Sequence, residues 1–233
     1  RYTKAKLIAI TGSNGKTTTT LLTYHLLKTA GVNVGLAGNI GESFAKQVIE
    51  DTFDWFVLEL SSFQLDNMYK FKADVGILLN ITPDHLDRYE YNFQKYVDSK
   101  FRILQNMQPT DDFIYFSESE AIGAMLAEKQ FKVNHLPISF QKKEPKGGFF
   151  HDGVLHLMHP PRTFDISAEE LPIKGPHNAI NAMAATLAAM AAGLTDEQIR
   201  NGLLTFQNAA HRLEPVAEIN GILFINDSKA TNV

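Results

Sequence analysis

"LIAITGSNGKTTTT", Leu7 to Thr20, decides the fold. An apolar run over 7–11 enters a glycine turn, and residues 16–30 then read as a helix with Leu21, Leu22, Leu26 and Leu27 at helical spacing. A helix that opens at a glycine turn presents unpaired N–H groups and the positive end of its dipole, which favours an anion. Lys16 adds a positive charge, and Thr17 adds a hydroxyl that can ligate Mg²⁺. The common phosphate loop reads GxxxxGK[ST]. Here Gly12-Ser13-Asn14-Gly15-Lys16-Thr17 is shorter, and Ile10 stands where the first glycine would fall. The competing reading is a plain strand-to-helix turn with an exposed lysine. The strand before and the helix after favour phosphate.

Outward from the turn, Gly31 ends the helix and 32–36 starts a second strand; 55–60 and 75–80 are further apolar runs that end in polar residues. Such runs alternating with helices predict an α/β fold: a mostly parallel sheet with helices on both faces. Ligands in that architecture sit at the carboxyl ends of the strands. A helix is expected over 91–106, strands over 112–116 and 133–137, and helices over 178–192 and 195–204, the last capped by Thr195. "KKEPKGGFFHDGVLHLMH", 142–159, has a Gly-rich break and then a hairpin turning at Asp152-Gly153, the mark of a small antiparallel annex. Residues 216–218 and 222–225 form a closing strand pair, and there is no internal repeat.

The 233 residues are 44% hydrophobic, enough for a full core. Lys and Arg number 22 against 26 Asp and Glu, a net charge of −4. A mildly acidic chain lacks the basic face that nucleic acid requires, so no nucleic-acid partner is expected. The absence of cysteine removes disulfides and thiolate metal sites and suits a reducing cytoplasm. No apolar run reaches membrane-spanning length, and the Ala-rich 182–194 segment reads as a helix packed closely on the sheet. No signal peptide is expected at the start, and both ends read as cuts within a longer protein.

The strand ends hold the chemistry. In "WFVLELSSFQL", 55–65, Glu59 ends a buried strand, where a carboxylate is costly unless paired or holding a metal. Facing Thr17 across neighbouring strand ends, it would suit hard Mg²⁺; the alternative is a salt-bridged surface glutamate. In "LLNITPDHLDRY", 78–89, Asn80, Asp84, His85 and Asp87 crowd one loop, either a second metal site or hydrogen-bonded loop residues. Spacing does not mark Lys100 on the 91–106 helix, which reads as a solvated lysine. His156 and His159 read as surface residues, His25 and His135 have no partner in view, and Lys142, Lys143 and Lys146 read as a solvated loop.

The motifs "TGSNGKTT", "AGNIG", "LELSSFQL", "NITPDHLDRY", "KGPHNAINAMAA", "AHRLEP" and "NDSKATN" occur in that order. Together they resemble the Mur ligases, the ATP-dependent amide ligases of peptidoglycan synthesis. The short GxxGK[ST] loop is the form that family uses. "LELSSFQL" and "NDSKATN" are similar to the members that join D-glutamate to UDP-N-acetylmuramoyl-L-alanine. Relatives for other amino acids, and folylpolyglutamate synthases, differ at both places.

The resemblance implies that residues 1–233 are a central ATPase domain, with an N-terminal UDP-binding domain before it and a C-terminal domain starting soon after Val233. It implies that Gly12, Ser13, Asn14, Gly15, Lys16 and Thr18 hold ATP phosphates, with Thr17 and Glu59 on one Mg²⁺. His85 corresponds to the ligand of a second Mg²⁺, and Lys100 to a lysine carried as a carbamate. Asn178 and Asn181 lie where the family meets adenine, Arg212 matches the γ-phosphate arginine, and Asp227 matches the ribose ligand. Asn39, Ser61, Ser62 and Gln64 face the UDP-sugar, and Lys229, Thr231 and Asn232 edge the D-glutamate site. ATP would phosphorylate the alanine carboxylate, and the amine of D-glutamate would attack the acyl phosphate. The setting implied is a cytoplasmic monomer, without a membrane partner, serving cell-wall growth, cell shape and division. The alternatives are another Mur or folylpolyglutamate-type ligase, or an isolated ATP-binding module without turnover.

Overall fold

In chain order the elements are β1 (Lys6–Thr11), α1 (Lys16–Thr29), β2 (Val34–Gly38), α2 (Phe44–Glu50), β3 (Trp55–Glu59), α3 (Ser62–Asp66), β4 (Val75–Leu78), α4 (Phe93–Phe101), β5 (Asp112–Phe116), α5 (Glu120–Glu128), β6 (Asn134–Ser139), β7 (Gly147–His151), β8 (Val154–His159), β9 (Arg162–Ser167), α6 (Pro176–Ala191), α7 (Asp196–Thr205), β10 (Glu214–Ile219) and β11 (Ile222–Asn226). The structure, a computed structural model, describes residues 3–50, 52–209 and 214–229.

Nine strands form one sheet in the order β2-β3-β1-β4-β5-β6-β7-β8-β9. Neighbours run parallel from β2 to β7, then antiparallel through β8 and β9. Alternate strand residues feed opposite faces, as the two-residue repeat of a strand requires. Ile8, Ile10, Trp55, Val57 and Ile77 join Leu22, Leu26, Leu187 and Leu203 of α1, α6 and α7. Leu7, Ala9, Phe56, Leu58 and Leu78 join Leu65, Tyr96, Phe101 and Ile122 of α3, α4 and α5. Each buried Leu, Ile or Phe contributes roughly 1.5–3 kcal/mol, and these two layers hold the sheet rigid under its loops. The doubly covered sheet predicted from the alternating runs is what forms.

The Ala-rich helix α6 is buried over most of its length, and its small side chains allow close packing on the sheet, as expected. Among the described residues no helix is long and apolar enough to cross a membrane. The Asp152-Gly153 turn closes β7 on β8 with both residues in the left-handed region, at φ 47° and 77°. The antiparallel annex is continuous with the main sheet, because β7 also pairs with β6. β10 and β11 form a separate antiparallel pair, as expected, and leave Val216, Ile222 and Phe224 exposed.

Several boundaries differ from the sequence expectation. The second strand starts two residues later than expected. The helix expected over 91–106 is shorter, because Glu90 and Tyr91 are left-handed (φ 55° and 56°) and cannot open a right-handed helix. Asn92 caps α4 instead, accepting from the Gln94 and Lys95 N–H groups at 2.9 and 3.4 Å. Helices α2, α3 and α5 and strand β9 were not among the expected elements.

Candidate nucleotide-binding site

The glycine turn lies between the ends of β1 and the start of α1, at the carboxyl edge of the sheet. Gly15 is the N-cap of α1 with φ 82°, and a Cβ there would lie 2.5 Å from the Asn181 Oδ1 of α6. Glycine is therefore required twice, by backbone conformation and by the approach of α6. The Lys16 Nζ folds back onto its own loop, donating to the carbonyls of Gly12 at 2.9 Å and Ser13 at 2.8 Å.

Lys100 overturns the sequence reading of a solvated lysine. It is 1% exposed, and its Nζ donates to the same Gly12 carbonyl at 2.8 Å. Its ammonium lies 4.6 Å from the centroid of the Tyr96 ring. Burial, together with the charge of Lys16, pulls its pKa down to about 7, against a smaller opposing pull from Asp84. Tyr96 also shares a hydrogen bond with the Ser13 hydroxyl at 3.1 Å, and burial pushes its phenol up to about 12. Tyr96 is marked in the sequence only as an aromatic four residues before Lys100, on the same helix face.

Glu59 is 1% exposed and pairs in register with Ile10 on one side and Gly38 on the other. Its buried place at a strand end is as expected, and the surface alternative falls. Its Oε1 accepts from the Asn39 side-chain amide at 2.8 Å, while Oε2 is buried without a hydrogen-bond partner. Leaving one carboxylate oxygen bare in the interior costs free energy unless a cation or donor completes it. That orphaned hard oxygen fits Mg²⁺, which takes one or two carboxylates and fills its shell with water and phosphate oxygens. Among the described residues no three acidic or histidine side chains gather into a metal cage. Asn39, expected to face the UDP-sugar, has its side-chain amide on this carboxylate.

His85 sits in the left-handed region at φ 51°, with its ring 5.3 Å from Phe63 and its Nε2 3.6 Å from Asp84. Its side chain is 55% exposed. Ser61 caps α3, accepting from the Gln64 N–H at 3.3 Å while the Gln64 Oε1 takes the Ser61 N–H at 2.9 Å. Ser62 is buried, and its carbonyl accepts from the Ser99 hydroxyl at 3.0 Å. The Ser61 hydroxyl and the Gln64 Oε1 are thus engaged in the cap.

Helix α6 delivers Asn178 and Asn181 beside the loop. Asn181 Oδ1 accepts from the Thr19 hydroxyl at 3.1 Å, and its amide donates to Asn178 Oδ1 at 3.2 Å. Thr18 donates to Asn208 Oδ1 at 3.3 Å. Asp227 and Lys229 are exposed beyond β11. Arg212, Thr231 and Asn232 lie outside the described residues.

Among the histidines set aside, His159 is not a plain surface residue: its Nε2 is 2.8 Å from Asp112 Oδ2, and that carboxylate raises its pKa. His156 stacks on Phe149 and pairs with Asp165 at 3.1 Å. His25 meets Thr205 at 3.0 Å, His135 meets the Phe131 carbonyl at 3.0 Å, and Lys146 reaches Asn134 at 2.7 Å. All of these lie away from the glycine turn.

A strand, a glycine loop with an invaginated lysine, a helix N-terminus and a buried unsatisfied carboxylate together define a phosphate-loop α/β domain. The Mur ligase middle domain family matches residues 10–189, and the chain belongs to that family. It is 52% identical over 233 residues to the UDP-N-acetylmuramoylalanine--D-glutamate ligase of Bacteroides fragilis, covering 100% of this chain and 52% of that protein. The chain spans about half the length of the curated relatives it matches. Among solved structures, MurF from Acinetobacter baumannii superposes with a TM-score of 0.73 at 23% identity, covering 96% of this chain and 50% of that one. MurF ligase from Thermotoga maritima, in complex with ADP, gives 0.69 at 18% identity over 97% of this chain and 53% of that one. The fold of this family is the fold seen here.

Proposed function

We propose that this chain is the ATP-binding middle part of an amide ligase that joins D-glutamate to UDP-N-acetylmuramoyl-L-alanine through an acyl phosphate, in peptidoglycan synthesis. The observation that carries the nucleotide half is the meeting of Lys16, Lys100 and the α1 N-terminus at one loop. The identity to a D-glutamate ligase supports the choice of substrates. Residues 1–233 would then be one domain of a longer enzyme, with the UDP-binding and C-terminal domains on either side. It would act as a monomer in the cytoplasm.

In this reading the Gly12–Thr18 segment and the first turn of α1 hold the phosphates, and Lys16 leaves its own loop carbonyls to meet them. Arg212 would meet the γ-phosphate, Asn178 and Asn181 would flank adenine, and Asp227 the ribose. Asn39, Ser61, Ser62 and Gln64 would lie toward the UDP-sugar, with Lys229 and Thr231 toward D-glutamate. Thr17 and Glu59 would hold Mg²⁺, which supplies Lewis-acid neutralisation of the phosphate oxygens. A second Mg²⁺ would use His85 and Lys100.

Lys100 is suited to carry a carbamate. A lysine with a pKa near 7 has a large neutral fraction at neutral pH, and the free amine adds CO₂ to give a carbamate and a proton. The carbamate nitrogen keeps one N–H, so the bond to the Gly12 carbonyl can persist. A cationic head becomes an anionic one with two hard oxygens.

The half-length coverage favours a second reading of the isolated chain: nucleotide binding without turnover, because positioning groups from the rest of the enzyme are missing. Calorimetry of the chain with Mg-ATP, and an amide-forming assay of the longer protein offered D-glutamate, L-lysine or meso-diaminopimelate, test both halves. Equal turnover with all three amino acids would overturn the substrate assignment. No ATP binding by the chain would overturn the site.

A further inference from the structure

We propose that Asn80 is a positioning residue for the phosphate loop, fixing it through three hydrogen bonds so that β- and γ-phosphates are gripped by a pre-set cradle. The inference rests on the ATP-binding reading above. Asn80 follows β4, the neighbour of β1 in the sheet. Its carbonyl accepts from the Ser13 N–H at 2.9 Å. Its side-chain Oδ1 accepts from the Asn14 N–H at 2.9 Å, and its Nδ2 donates to the Asn14 carbonyl at 3.1 Å. The side chain thus satisfies both backbone groups of one loop residue, as a strand partner would.

The same tail of chain is tied to the loop on either side of Asn80. Leu79 N–H donates to the Thr11 carbonyl at 3.1 Å, and Thr82 N–H donates to the Ser13 hydroxyl at 2.9 Å. The Ser13 hydroxyl in turn donates to the Thr82 carbonyl at 2.9 Å. At Gly12 the two segments lie so close that a Cβ would sit 3.2 Å from the Leu79 Cβ. Sheet pairing therefore continues past the ends of β1 and β4, and the loop is held against a rail. Asn80 supplies the only side chain on that rail, among the described residues, that bonds to Asn14.

Two consequences follow for phosphate. The N–H groups of Ser13 and Asn14 are committed to Asn80, so within the Gly12–Thr18 segment the backbone N–H groups offered to phosphate are those at the start of α1. A loop held rigid beforehand also loses little conformational freedom when the anion arrives. Freeing the Asn14 peptide would let the loop sample other turns and point its dipoles away from the ligand. The contacts of Asn80 go to the backbone of Ser13 and Asn14 and not to Asn178 or Asn181, the residues read as flanking adenine, so the effect is expected for ligands that carry phosphate.

The test compares the chain and its Asn80→Ala variant for binding of ATP and of adenosine, with ¹⁵N hydrogen exchange at the Asn14 and Thr19 amides. The expected result is an ATP affinity lowered about tenfold, corresponding to the loss of one to two hydrogen bonds' worth of preorganisation. Adenosine affinity should be unchanged. Exchange should quicken at Asn14 while Thr19, bonded within α1, keeps its protection. Asn80→Asp can still accept from Asn14 but not donate to it and adds a negative charge, so it should bind ATP worse than Asn80→Ala. ATP affinity equal to wild type in Asn80→Ala overturns the inference. So does an equal loss for ATP and adenosine with general loss of protection, which would mark a merely structural residue. A wild-type chain that binds ATP no better than adenosine would instead overturn the nucleotide reading itself, and this inference with it.

Discussion

Lys16 and Lys100 share one acceptor, the Gly12 carbonyl, at 2.9 and 2.8 Å. Two ammonium-bearing side chains on a single oxygen, one of them fully buried, cannot both hold a proton cheaply. The depressed Lys100 pKa is the resolution.

That depression has a sign. A lysine whose folded pKa lies below its unfolded value destabilises the fold at low pH, and the penalty fades as pH rises from about 7 toward 10.5. In CO₂-free buffer, Lys100→Met should stabilise the chain by roughly 1–3 kcal/mol at pH 6, after allowing for the lost Gly12 bond. Urea unfolding at pH 6 and at pH 10 checks this. A stability difference that is the same at both pH values would contradict it.

Glu59→Gln should leave the metal-free fold as stable as wild type or slightly more so. It removes a buried charge whose Oε2 has no partner, while the Asn39 contact can be kept through the amide oxygen. The same change should weaken Mg-ATP binding while sparing metal-free ATP. Thermal melts and calorimetry with and without Mg²⁺ read both effects, and an unaltered Mg²⁺ dependence would count against Glu59 as a ligand.

Gly38→Ala should cost about 3 kcal/mol or more. Gly38 has φ 105°, and an added Cβ would lie against the Glu59 carbonyl oxygen, which is backbone and cannot swing away. Denaturant titration measures the loss; a change under 1 kcal/mol would mean the strand end yields more easily than its register indicates.

His159 should stabilise the sheet below its ordinary pKa. Asp112 raises the folded pKa of this half-buried histidine, so its contribution is complete below about 6.5 and is lost as pH rises through the raised value. His159→Gln should cost up to about 1 kcal/mol at pH 5.5 and less at pH 8.5, with partial exposure limiting the size. Equal cost at both values would show that packing, not charge, is what His159 provides.

The alternation of apolar runs and helices, the glycine turn and its lysine, the Asp152-Gly153 hairpin and the buried place of Glu59 were all legible in the residues. Each is a local pattern: strand periodicity, turn chemistry, or a charge inside an apolar run. The short helix α3 escaped notice because it is five residues long and rests on the Ser61–Gln64 cap rather than on periodicity. Strand β9 buries only Phe164 and Ile166, an alternation too brief to mark a strand until β8 pairs with it. Lys100 shows the limit most clearly. Its sequence neighbours, "YVDSKFR", read as an ordinary helix surface, and only the packing of α4 under the glycine turn buries it, against Tyr96 and the Gly12 carbonyl. Asn80 is the same kind of case: a polar residue in a loop until the ends of β1 and β4 are brought side by side. Sequence determines what local patterns encode. Burial, shared acceptors and shifted pKa values depend on which distant segments meet, and that is set by the packing of the whole sheet.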